Sequence, residues 1–159
     1  MAITIPIKIT HKFAVKVGMK EVWDVLSNVP ASASFYPQVD KLMDLGDGAY
    51  CWNMEKIGAG QASAQIVYAC FYSTNRQKGT VTWTPIAGVG NAQVAGSWQV
   101  SQQKSATLLV LTVEGSIGLP LPALMSLVVQ PVVEAEFERL TETYIANLCV
   151  RFGGEVEKD

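Results

Sequence analysis

The stretch ATLLVLTVEGSIGLPLPALMSLVVQPVVEAEFERLTETYIANLCV, residues 106–150, changes its hydrophobic period part-way along. From Ala106 to Glu114 apolar residues alternate as in a strand, with Leu109, Leu111 and Val113 opposite Thr112 and Glu114. Beyond a proline-broken connector, Val133, Phe137, Leu140, Tyr144 and Leu148 recur at spacings of four, three, four and four, which is one face of an α-helix. The helix is expected to run from about Pro122 to Val150, kinked at Pro131. Its apolar stripe needs a sheet to lie across.

The rest of the chain supplies that sheet. Residues 3–17 place Ile3, Ile5, Ile7, Ile9, His11, Phe13, Val15 and Val17 on one phase and lysines and threonines on the other, as in a long half-buried strand. Met19 to Ser27 carries Val22, Trp23, Val25 and Leu26 at helical spacing, and Asn28 and Pro30 end that helix. A second short helix is expected over Ala31 to Phe35, before Pro37. Six strands then follow at about 39–46, 49–57, 61–74, 79–85, 91–102 and 105–115, separated by turns that include Asp47-Gly48 and Gly58-Ala59-Gly60. Joined by turns this short, they pair antiparallel. The fold class is α+β, with seven antiparallel strands, two short helices after the first strand and one long C-terminal helix, all in a single domain over residues 1–159.

This order resembles the SRPBCC superfamily, which includes START lipid-transfer domains, birch-pollen-allergen relatives and polyketide cyclases. The phrases that carry the resemblance are EVWDVLSNVPASASFYPQVDKLMDLGDGAYCWNM (21–54), VTWTPIAGVGNAQVAGSWQV (81–100) and TLLVLTVEG (107–115). The resemblance implies a helix-grip fold, in which the sheet wraps the C-terminal helix and leaves a hydrophobic cavity between them. It does not choose among the carriage, binding and cyclase activities found in that superfamily.

Strand parity selects the residues that face the cavity, since the phase carrying the polar residues is the solvated one. The expected ligand-binding set is His11, Phe13, Tyr50, Trp52, Tyr68, Tyr72, Trp83, Trp98, Leu109, Leu111, Met125, Val133, Phe137 and Tyr144. Gly96 shares this inner phase, where a glycine allows close approach. His11, the only histidine, could bond a ligand head group or carry a proton, or be a structural histidine bonded to a neighbour. Glu134, Glu138 and Glu142 fall opposite the helix stripe and read as a solvated face, which leaves Glu136 as the carboxylate nearest the pocket.

Composition narrows the function classes. A formal net charge of −2 and the lack of a basic stripe argue against nucleic acid. Apolar residues make up 49% of the chain and charged residues 16%, more apolar surface than a minimal core uses. Cys51, Cys70 and Cys149 are an odd, widely spaced set without a secretory leader, so a reducing cytoplasm is expected. No nucleophile elbow, phosphate loop or metal-ligand spacing occurs, so no catalytic residue, cofactor or metal is expected. Residues 117–133 are apolar but proline-rich and too short for a membrane span.

The leading expectation is therefore a binding or transport protein for a lipid-like or aromatic small molecule. The alternative is a polyketide cyclase or aromatase-like enzyme in which His11, Tyr50, Tyr68 or Tyr72 polarises a bound carbonyl. A third is an interaction module whose pocket is filled by its own aromatic side chains. Entry is expected past the connector from Gly118 to Met125. The outward side of Leu127 and Val128 needs loops, a partner subunit or a transient membrane contact to cover it. The oligomeric state is left open.

Overall fold

In a computed structural model of the chain, residues 3–56 and 65–156 are described. Strand β1 (Ile3–Val15) leads through helix α1 (Met19–Leu26) and helix α2 (Val29–Ala33) to β2 (Val39–Gly46), β3 (Ala49–Met54), β4 (Val67–Asn75), β5 (Thr80–Pro85), β6 (Ala92–Gln102) and β7 (Thr107–Leu119). A single 3₁₀ turn (Ala123–Met125) feeds the long helix α3 (Ser126–Arg151), and a two-residue strand β8 (Glu155–Val156) closes the sequence of elements. All strands join one antiparallel sheet in the order β2-β3-β4-β5-β6-β7-β1-β8. The first and last parts of the chain thus meet, because β1 pairs along its whole length with β7.

The eighth strand is an addition to the seven expected. Phe152 is fully buried, and Gly153 and Gly154, both at positive φ, turn the chain back so that Val156 pairs with Ala14. A two-residue strand is too short to carry a period, which is why the sequence pattern did not disclose it. Helix α2 also starts earlier than expected. Asn28 accepts a hydrogen bond from Ala31 N (3.1 Å) as its N-cap, and Pro30 sits in the first turn, where a missing N–H costs nothing. Strand β7 extends to Leu119, so the front of the anticipated connector belongs to the sheet. The expected Gly58-Ala59-Gly60 turn lies outside the described residues. Asp47 and Gly48, both at positive φ, do form the β2–β3 turn.

Parity survives along the long strands because the β1–β7 and β6–β7 registers run without a break. Among the described residues, register irregularities occur only between β2 and β3. Ile5, Leu109, Leu111, Val81, Trp98 and Val100 are accordingly buried on the inner face. Helix α3 continues through Pro131, whose absent N–H leaves the Leu127 carbonyl without its helical donor, on a side where Leu127 is 85% exposed. Its buried surface is wider than one stripe. Val133, Phe137, Leu140, Tyr144 and Leu148 are flanked by a second buried column of Thr141, Ile145 and Cys149.

Candidate functional site

Between the sheet and α3 lies a cavity of about 90 Å³, several times the roughly 10–15 Å³ that one water needs on the same measure. Its walls come from β1, β3 to β7, the two short helices, Tyr36 and α3. The aromatic wall follows from pairing. Trp52 is the register partner of Tyr68, and their rings stack with centroids 5.9 Å apart and planes 11° apart. Tyr72 is likewise partnered by Trp83, at 5.7 Å. The Trp83 ring lies against Gly96, where a Cβ would come within 2.5 Å of it. The aromatics thus shape the cavity without filling it.

Of the residues expected from parity, Trp52, Tyr68, Tyr72, Trp83, Trp98, Leu111, Phe137 and Tyr144 line this cavity. Phe13, Tyr50, Leu109, Met125 and Val133 do not. Phe13 packs edge-on against Trp98, Tyr50 packs edge-on against Tyr72, Leu109 and Val133 are core, and Met125 rests half-buried at the start of α3. His11 is also absent from the lining. It shares its phase with Leu111, its register partner, but α3 crosses β1 there, and His11 Nε2 lies 2.5 Å from Glu138 Oε1. Glu138 belongs to the second column of α3 and is not a freely solvated carboxylate. Glu136, expected nearest the pocket, instead pairs with Arg139.

Because both members of the His11–Glu138 pair remain partly open to solvent, replacing either is expected to cost only about 0–1 kcal/mol. The double variant His11→Ala, Glu138→Ala should give less destabilisation in urea than the sum of the singles. Additive losses would show that the two groups do not interact.

Some of the cavity's polar groups come from segments that strand parity cannot rank, and others from the strands themselves. Ser32 of α2 hydrogen-bonds the Tyr144 hydroxyl, and Trp52 Nε1 donates to the Tyr72 hydroxyl at 3.0 Å. Tyr36 stands beside Thr141, and both line the cavity. Burial pushes Tyr36 and Tyr144 up to about 12, opposed only in part by the neighbouring Thr141 and Ser32 side chains. Burial also raises Tyr72 and Tyr68 well above the ordinary tyrosine value, and Cys70, whose thiol donates to the Val94 carbonyl (3.1 Å), is pushed up to about 12. These groups stay protonated and neutral over the physiological range. Among the described residues no acidic or basic side chain lines the cavity.

No family model matches the sequence, and no curated protein matches it. Solved structures do. The Zhui aromatase/cyclase from Streptomyces sp. R1128 is similar over 92% of this chain and 93% of its own, with a TM-score of 0.67 at 13% identity. A START superfamily protein from Mycobacterium smegmatis is similar over 91% and 96%, with a TM-score of 0.65 at 14% identity. Ginseng major latex-like protein 151 from Panax ginseng is similar over 93% and 98%, with a TM-score of 0.59 at 9% identity. The chain therefore shares the helix-grip fold of these structures. Identities this low establish the fold and leave the activity to the site's own chemistry. Among the described residues no helix is long and apolar enough to cross a membrane.

Proposed function

We propose that this chain binds a hydrophobic small molecule in the cavity between its sheet and α3. One observation carries the reading: the cavity is open and aromatic-walled, and among the described residues no charged side chain lines it. Burying apolar ligand surface there contributes about 25 cal/mol per Å² without demanding polar geometry. The open volume speaks against a pocket filled by its own side chains. Entry is past residues 120–125, where Leu121 and Met125 rest on the edge of the core and Leu124 is 86% exposed.

The cyclase-like alternative needs at least two free polar groups converging on one point of the pocket. Of its candidates, His11 and Tyr50 are outside the lining and Tyr72 is engaged by Trp52, which favours binding over chemistry. Native mass spectrometry of gently purified protein should show an added small-molecule mass that disappears on denaturation. Protein that is always ligand-free, and that stays so after incubation with apolar aromatics, would contradict the proposal.

A further inference from the structure

Tyr68 differs from the other tyrosines of the cavity. Tyr72 is bonded by Trp52, Tyr144 is bonded by Ser32 and Tyr36 has Thr141 beside it, whereas the Tyr68 hydroxyl has no hydrogen-bond partner among the described residues. The residue is only 9% exposed. No buried side-chain polar atom among those residues is left both sealed off and unpaired, so the Tyr68 hydroxyl borders open space, and the space its side chain lines is the cavity. It lies within electrostatic reach of the Tyr72, Tyr36 and Tyr144 hydroxyls and the Cys70 thiol, all groups of the inner face. A native polar group buried in this way ordinarily has a partner. Here the protein provides none.

We propose, building on the cavity-binding reading, that Tyr68 is the polar anchor of the site and that the ligand is a compact, uncharged ring compound with one hydroxyl or carbonyl oxygen. Three features of the cavity converge on that class. The stacked pair Trp52 and Tyr68 offers a flat surface to a ring, and Phe137 adds a further aromatic side chain to the lining. The volume of about 90 Å³ limits the ligand to about one small ring and is too small for the acyl chains of a membrane lipid. A carboxylate or ammonium group would enter without a counter-charge, at a cost of several kcal/mol, whereas a single neutral oxygen finds one waiting hydroxyl.

Three probes of matched shape test this: p-cresol, p-xylene and p-toluate, titrated by NMR into the protein and into its Tyr68→Phe and Tyr72→Phe variants. The expected order is p-cresol tighter than p-xylene by about 3–10-fold, the worth of one net hydrogen bond, with p-toluate weakest. Tyr68→Phe should abolish the cresol preference and leave xylene affinity within about twofold, while Tyr72→Phe keeps the preference. In the unsubstituted protein, nuclear Overhauser contacts should join cresol protons to the Tyr68 ring, a readout that does not depend on any variant folding. If cresol and xylene bind equally, if the preference survives Tyr68→Phe, or if toluate binds as tightly, the anchor is refuted and the cavity reading stands. If none of the three binds, both fail.

Discussion

Between pH 9 and pH 12 the protein is expected to lose most of its stability and unfold cooperatively. Tyr36 and Tyr144 are each pushed from the ordinary 10.0 up to about 12 by burial, Cys70 goes from 9.0 to about 12 and Cys149 from 9.0 to about 11. For each group the protonated form is the one that folding favours. Below its unfolded-state value the stabilisation is complete. As pH rises past that value the unfolded chain releases its proton first, and stability falls until the folded value is passed. A two-unit rise corresponds to somewhat under about 3 kcal/mol, so the two tyrosines together reach about 5–6 kcal/mol, comparable with the whole stability of many domains. Tyrosinate absorbance and far-UV circular dichroism followed together should give coincident transitions. Tyrosines that ionise near pH 10 while the dichroism stays unchanged would show that the inner face is wetter than described.

Replacing Gly96 by valine should destabilise the protein by about 3 kcal/mol and abolish ligand binding. Gly96 faces Trp83 on one side and Val113 on the other in the sheet register. A Cβ there would lie 2.4 Å from the Thr112 carbonyl oxygen and 2.5 Å from Trp83 Cζ2. The carbonyl belongs to the β7 ladder and cannot retreat without breaking it, so the strain falls on both the strand and the ring. Trp83 would be driven toward Tyr72 and into the cavity that both line. Urea unfolding measures the first effect and probe titration the second. A Gly96→Val protein of unchanged midpoint that still binds would mean that Trp83 has room to move.

Much of this site was legible from parity, for an identifiable reason. The long registers of β1, β6 and β7 keep alternation intact over ten residues or more, so Trp98 and Leu111 could be placed by counting from polar neighbours. Parity gives the face but not what lies over it. His11 is on the inner face and still misses the cavity, because α3 covers that point of β1 with Glu138. Glu138 itself was misread because one stripe of α3 was counted, whereas the sheet grips a second column through Thr141 and Ile145. Ser32 and Tyr36 come from α2 and the segment after it, whose approach to Tyr144 is set by packing and not by period. The Asn28 cap was the available clue to where α2 begins.

The outward side of the 3₁₀ turn and early α3 keeps Leu124, Leu127 and Val128 exposed, at 86%, 85% and 64%. It offers an apolar ligand a competing place to land. Amide chemical-shift mapping with p-cresol decides between the two surfaces most directly. Binding in the cavity predicts saturable shifts at Tyr68, Trp98, Phe137 and Tyr144, with residues 124–128 no more affected than other exposed positions. Shifts confined to residues 124–128, or none that saturate, would contradict the claim that the space between sheet and helix is the binding site.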